Sequence, residues 1–181
     1  MAEITITENG VRKLLQKLDG HKATGPDEIP ARLLKETASE TSAMFTTLFQ
    51  ASLLQGKLPT EWKTANVIPA FKKGSKSQPE NYRPISLTCI LCKVMEHIIS
   101  SSLMTHLENN SILNDAQYGF RKKRSCETQL LNTVNHLAKS LDDKSQVDTI
   151  LLDFSKAFYK VPHQRLLYKL QFYGVRGSTH K

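Results

Sequence analysis

The chain has 181 residues, 39% hydrophobic and 23% charged, with 25 Lys and Arg against 17 Asp and Glu and a formal net charge of +8. That balance suits a globular domain with its own core and excludes a low-complexity or disordered chain, while the basic excess favours a polyanionic partner, chiefly nucleic acid. No apolar run approaches the ~20 residues needed to cross a bilayer, and the first residues lack the basic-then-apolar pattern of a leader. Cys89, Cys92 and Cys126 make an odd set that predicts reduced thiols, in cytoplasm or nucleus, rather than a disulfide framework.

In chain order, Val11, Leu14, Leu15 and Leu18 fall at helical spacing, with Gly20 as a stop. Thr24-Gly25-Pro26-Asp27 reads as a loop, and Pro30 suits the first turn of a second helix carrying Leu33 and Leu34. A third helix holds Met44, Phe45, Leu48, Phe49 and Leu53 and ends at Gly56. Residues 65–71 read as a short strand in which Pro69 demands an edge or a bend. The basic, turn-rich residues 72–81 then form an exposed loop, so that 64–87 make an antiparallel hairpin. A long amphipathic helix follows over about 88–107, with Leu91, Val94, Met95, Ile98 and Leu107 on its apolar face. Leu130, Val134, Leu137 and Leu141 mark another helix, and residues 142–144 a turn. Residues 147–154 read as a largely buried strand with Asp153 near its end, and residues 163–172 as a last helix. The class is α+β and helix-rich.

Three places carry candidate chemistry. Asp153 closes an apolar run, where a carboxylate is costly to bury unless paired or bound to a cation. It therefore reads either as a Mg²⁺ ligand or as the cap of a helix starting at Ser155. Two basic segments, Lys72-Lys73-Gly74-Ser75-Lys76 with Arg83 and Arg121-Lys122-Lys123-Arg124, suit a triphosphate, template phosphates or simply water. Cys89 and Cys92 have CxxC spacing inside a helix, but no second Cys or His pair stands near to complete a zinc site. The six histidines form neither HxxxH nor HExxH.

Taken together, the motifs resemble those of reverse transcriptases from non-LTR (LINE-type) retrotransposons, particularly the jockey-like kind. Lys22-Ala23-Thr24-Gly25-Pro26-Asp27-Glu28-Ile29-Pro30 is similar to that family's K-A-x-G-P-D-G-I-P loop. Leu58-Pro59, Trp62-Lys63, Asn66-Val67-Ile68-Pro69 and Phe71-Lys72-Lys73-Gly74 resemble the next block, and Asn81-Tyr82-Arg83-Pro84-Ile85-Ser86-Leu87 resembles N-Y-R-P-I-S-L. Gln117-Tyr118-Gly119-Phe120-Arg121 resembles Q-x-G-F-R, and Asp153-Phe154-Ser155-Lys156-Ala157-Phe158 with Val161-Pro162-His163 resembles the first catalytic motif. The blocks run in the family's order from about residue 20 to 177.

The resemblance implies a right-hand polymerase layout: 1–60 an N-terminal helical segment, 61–144 a fingers-like region and 145–181 the beginning of a palm. It implies an RNA template, a DNA primer, a dNTP and Mg²⁺ as partners. Asp153 takes the place of the first metal-binding aspartate, with Phe154 offering a backbone carbonyl beside it. Phe158 stands where the family has an aromatic gate against the ribose 2′-OH. Lys72, Lys73 and Arg83 resemble the residues holding the incoming triphosphate, and Gln117, Gly119, Phe120 and Arg121 a block beside the template. Two positions depart from the pattern: Tyr159 follows the gate where Asp is usual, and Glu28 replaces a glycine where φ > 0 is wanted. The Y-x-D-D carboxylates are not in these 181 residues. One aspartate does not bridge two metal ions, so the chain by itself is expected to be inactive, with a non-catalytic nucleic-acid-binding remnant as the alternative.

Overall fold

The computed structural model describes residues 1, 3–155 and 157–180. They group into two units, Met1–His106 with Leu170–Lys181, and Leu107–Lys169.

The first unit is built from the N-terminus inward. Ile4 and Ile6 are buried, and the Ile6 amide donates to Gln50 Oε1 at 2.9 Å. Thr7 then caps α1 (Glu8–Gln16), its hydroxyl accepting from the Gly10 amide, with Glu8 against the positive end of the helix dipole. α1 buries Val11 and Leu15 completely, as the i, i+4 spacing demands. α2 (Ala31–Glu36) starts one residue after Pro30, which occupies the cap position. α3 (Ala38–Gln55) ends on Gly56 at φ 64, the left-handed stop that glycine adopts without strain. Phe49 is the largest fully buried side chain. Phe45 stacks on it at 6.3 Å and Trp62, from the 3-10 turn Thr60–Lys63, meets it edge-on at 5.6 Å.

α4 (Ile90–Asn109) carries the predicted apolar face, with Leu91, Val94, Met95 and Leu107 buried. Its start is buried on every side, Cys89 through Cys92 included. The 3-10 turn covers it, since the Cys89 thiol donates to the Glu61 carbonyl at 3.6 Å and the Cys92 thiol to the Trp62 carbonyl at 3.8 Å. The loop around Gly25 also covers it: a Cβ on Gly25 would lie 2.5 Å from the Cys89 amide nitrogen. Glu28 adopts φ 54, so the conformation that prefers glycine is present although the glycine is not.

β1 (Asn66–Phe71) and β2 (Tyr82–Leu87) pair antiparallel in a two-stranded sheet, as the sequence predicts. Pro69 faces Pro84. The Lys72 amide donates to the Asn81 carbonyl, and alternation along the ladder makes Pro69–Pro84 a non-hydrogen-bonded pair. Each proline therefore lacks its N–H where that group would point away from the partner strand, and no ladder bond is lost. Residues 72–80 of the loop joining the strands are exposed.

The second unit contains α5 (Cys126–Asp142), opened by a capping box in which Ser125 and Thr128 satisfy each other's backbone N–H. Leu130, Leu131, Val134 and Leu141 on α5 are 54–71% exposed. The strand expected over 147–154 is not formed: these residues belong to no helix or strand, and Ile150, Leu151 and Leu152 are 82–90% exposed instead of buried. The β-branched run has the right composition, but a strand exists only where a neighbour accepts its backbone hydrogen bonds, and no described segment pairs with it. α6 (His163–Phe172) has the predicted span. The first unit closes with Val175, 2% exposed, the Met1 amino group donating to the Gly174 carbonyl, and the 3-10 turn Gly177–His180 packed on α3. Among the described residues no helix is long and apolar enough to cross a membrane.

Candidate functional site

The basic hairpin belongs to the first unit. Ala70 faces Arg83 and Phe71 faces Tyr82, so alternation puts Ala70, Lys72 and Arg83 on one face of the ribbon and Phe71 and Tyr82 on the other. The aromatic face organises the loop. Phe71 and Tyr82 meet edge-on at 5.5 Å, Lys76 Nζ lies 5.7 Å from the centre of the Phe71 ring, and the Tyr82 hydroxyl donates to the Lys76 carbonyl at 2.9 Å. Gly74, at φ 89, lets the chain turn within reach of the Asn81 side chain, which donates to the Ser75 carbonyl. Lys76 is thus held on its own loop. Lys72, Lys73 and Arg83 are exposed and make no ion pair among the described residues.

The second unit holds the other candidates. Arg121 does not project into solvent: its side chain is 8% exposed. Its guanidinium donates to both Glu108 carboxylate oxygens, at 2.8 and 2.6 Å, and to the Asn114 carbonyl at 2.8 Å. The hydrogen bond from Arg121 holds the Glu108 carboxyl below its usual range, and the same bond raises the Arg121 guanidinium. Arg124 is taken up similarly, donating to the carbonyl and carboxylate of Asp115 at 2.6 and 3.0 Å and lying 5.0 Å over the Tyr118 ring. The Tyr118 hydroxyl accepts from Asn132 of α5, and the Gln117 side-chain Nε2 donates to the Gly119 carbonyl. Glu108 and Asp115 escape sequence reasoning. Their signal is weak, an acid some residues before a basic run, and the sequence does not say which arginine folds back.

Phe120 and Phe158 come together edge to face, ring centres 6.0 Å apart, both largely exposed. Asp153 is exposed and makes no hydrogen bond or ion pair among the described residues. It is not a helix cap, because Ser155 lies in a turn and α6 begins only at His163. Phe154 is 78% exposed, and Lys156 of the same motif lies outside the described residues. No group of three or more His, Cys, Asp or Glu side chains able to hold a metal ion occurs among the described residues. The CxxC cysteines are packing residues: burial, with Glu96 adding to it, pushes the Cys92 thiol up to about 12, the opposite of a metal-binding thiolate.

Residues 71–180 match the family described as reverse transcriptase (RNA-dependent DNA polymerase). The chain is 31% identical over 170 residues to the RNA-directed DNA polymerase from mobile element jockey of Drosophila melanogaster, covering 93% of this chain and 18% of that protein. It is 30% identical over 171 residues to the probable RNA-directed DNA polymerase from transposon BS of the same fly, covering 91% and 19%. A Pol polyprotein from the type-1 retrotransposable element R2 of Popillia japonica is 26% identical over 130 residues, covering 72% and 18%. The chain spans about a fifth of the length of these curated relatives. With more than half its residues inside the family match, and with transposon polymerases as its relatives, the chain belongs to the reverse transcriptase family.

Proposed function

We propose that this chain is the part of a mobile element's RNA-directed DNA polymerase that holds the incoming nucleotide and the template. It contributes the first catalytic aspartate, Asp153, and does not polymerise by itself. Residues 61–144 then correspond to fingers and 145–181 to the start of a palm. The observation that carries this reading is the family match over 71–180, which contains the hairpin basic residues, the Q-Y-G-F-R block and the D-F-S-K-A-F motif together.

The roles follow from chemistry. Lys72 and Arg83, on one face of the ribbon, suit a triphosphate: the lysine as a point charge, the arginine as a fork. Lys73, just past the end of β1, is the reserve cation. Phe158 is the gate ring against a 2′-OH. Asp153, with the Phe154 carbonyl, is one half of a divalent-cation site. Mg²⁺ bound by more carboxylates would neutralise charge on the triphosphate, but a lone exposed carboxylate does not fit a two-metal site, so no chemical step is assigned to this chain.

Primer extension on an RNA template with dNTPs and Mg²⁺ tests the reading. No product is expected from the 181-residue chain, while nucleic acid binds at low salt. Template-dependent extension that disappears in Asp153→Ala would overturn the inactivity, and absence of any binding at 50 mM salt would overturn the holding role. The net charge of +8 also fits a non-catalytic nucleic-acid-binding remnant. Weak dNTP binding abolished by a Lys72→Gln/Arg83→Gln double change favours the polymerase descent, and nucleic-acid binding with no dNTP affinity favours the remnant.

A further inference from the structure

Lys72-Lys73-Gly74-Ser75 and Lys122-Lys123-Arg124-Ser125 are the two places in the chain where a hydroxyl residue follows lysine or arginine at both the second and the third position before it. A serine with two cations just ahead of it fits a protein kinase whose substrate cleft is lined with carboxylates, since charge patterns of this kind select a kinase's substrates. The sequence offers both serines equally. The fold does not.

Ser125 is committed to α5. Its hydroxyl accepts from the Thr128 amide at 3.2 Å as the helix cap, and a hydrogen bond from Ser125 holds the Glu127 carboxyl below its usual range. The residue is half-buried, and Arg124 before it is tied to Asp115. Releasing the hydroxyl costs about 1 kcal/mol of helix cap, and a phosphate there would stand two residues from an ionised Glu127.

Ser75 has none of these ties. It lies in the exposed loop of the hairpin, behind exposed Lys72 and Lys73 that make no ion pair among the described residues. Among the described residues its hydroxyl meets Ser77, hydroxyl to hydroxyl at 2.8 Å and from the Ser77 amide at 3.4 Å. The loop is held through the Ser75 carbonyl instead, which accepts from the Gln78 amide and the Asn81 side chain. Exposed hydrogen bonds at a loop tip open at little cost, so the segment can straighten into a kinase cleft. The effect of a phosphate there follows from charge. Phosphoserine carries about −1.5 to −2 at pH 7, against the positive charges of Lys72, Lys73 and Arg83. Three residues of backbone span at most roughly 11 Å, about one Debye length at 0.1 M salt, so the phosphate acts on both lysines despite screening. The Ser77 amide, already directed at Ser75 Oγ, would donate to it.

We propose that Ser75 is a phosphorylation site for a kinase that reads basic residues ahead of its serine, and that the phosphate switches off the cationic face of the hairpin. In the transfer, the bond between the γ-phosphorus of ATP and its bridging oxygen breaks and a bond from that phosphorus to Ser75 Oγ forms. The hydroxyl proton passes to the kinase's base, and ADP leaves. The site stands on its own geometry, and the switch rests on the reading of Lys72 and Arg83 as an anion site.

The test treats the full chain with the catalytic subunit of cyclic-AMP-dependent protein kinase and MgATP. Intact mass and peptide mapping should show one phosphate, on Ser75. Ser75→Ala should take up none, and Lys72→Gln/Lys73→Gln should slow uptake about 10-fold, the equivalent of ~1.4 kcal/mol of lost charge contact. Circular dichroism spectra identical to that of the parent protein establish that the variants fold. Phosphate on Ser125 with Ser75 unmodified, or no phosphate on the folded chain, overturns the site. Binding of a labelled oligothymidylate is then followed by anisotropy across a salt series. In the phosphorylated chain the slope of log K against log salt should shrink by about 1.4, two phosphate contacts at roughly 0.7 each on a single strand, and a phosphatase should restore it. An unchanged slope overturns the switch. If the unmodified chain binds while Ser75 takes no phosphate, the inference falls and the polymerase reading stands. If Ser75 is modified and the unmodified chain binds nothing at low salt, the holding role falls and the switch with it, while the acceptor site stands.

Discussion

Replacing Gly25 by alanine tests how the Lys22–Pro30 loop is seated. The added Cβ would lie 2.5 Å from the Cys89 nitrogen, 2.6 Å from the Thr88 carbonyl carbon and 2.7 Å from the Cys89 Cα. The tightest of these falls short of 3.4 Å, where ordinary contact begins, by about 0.9 Å. All three neighbours are backbone, so no rotamer change relieves the overlap. Either the loop lifts, drawing Asp27 away from Cys89, or the start of α4 slides against the Trp62 turn. Overpacking of this kind costs about 1–3 kcal/mol, and a clash with three backbone atoms belongs at the upper end. The glycine's φ is not in the left-handed range, so alanine also gains about 0.4–1 kcal/mol by restricting the unfolded chain. The net loss is about 2 kcal/mol. In urea, with a slope of roughly 1–3 kcal/mol per molar, the midpoint of the Trp62 fluorescence transition should fall by about 0.7–2 M. Gly20→Ala is the control: its Cβ meets Arg32 alone, no nearer than 3.5 Å, and its midpoint should hold or rise. A Gly25→Ala midpoint equal to the parent's would refute the close seating of the loop on α4.

Five further outcomes are expected. Glu28→Gly, which removes a side chain from φ 54, should stabilise by up to about 1 kcal/mol in the same titration. Phe49→Ala, which empties a fully buried site against Phe45 and Trp62, should destabilise by about 3–5 kcal/mol, read by the only tryptophan of the chain. Thiol titration of the native protein should show Cys126 reacting fast and Cys89 and Cys92 slowly. Because Cys92 keeps its proton up to about 12 when folded, its contribution to stability is complete below the unfolded thiol range and lost as pH rises from about 9 towards that value, and Cys92→Ser should flatten that alkaline limb. Glu108 titrates below its unfolded value of 4.5 because Arg121 donates to it, so its contribution is present above that value and lost as pH falls through the lowered folded one. Proteolysis of the 110–124 loop by pepsin should therefore accelerate as acid is added, and in Glu108→Gln it should already be fast at the upper end of the pepsin range.

Much of the first unit is legible in the sequence because its signals are local. Helical spacing marks Val11 and Leu15, Gly56 stops α3, and the turn-rich residues between two short apolar runs make the hairpin. Glu28 as a replacement for glycine at a positive φ is legible for the same reason. Residues 147–154 mislead because a strand is a property of two segments, and composition speaks for only one. Arg121 is similar. Nothing in Arg-Lys-Lys-Arg distinguishes an anchor from a displayed charge, since the distinction lies with Glu108, 13 positions away. The encounter of Phe120 with Phe158 joins two motifs that the sequence treats as separate, and only a folded chain reveals it.

The facing prolines of the hairpin have one more consequence. A two-stranded ribbon offers its outward amides to any passing extended chain, and growth by addition of a third strand is the first step towards fibres. Pro69 on one margin and Pro84 on the other each delete a donor from the middle of that offer. A third strand docking on either side would meet a missing hydrogen bond there and a pyrrolidine ring in its path. The ribbon can therefore stand exposed on both faces, its lysines and arginine open to a ligand, without recruiting copies of itself.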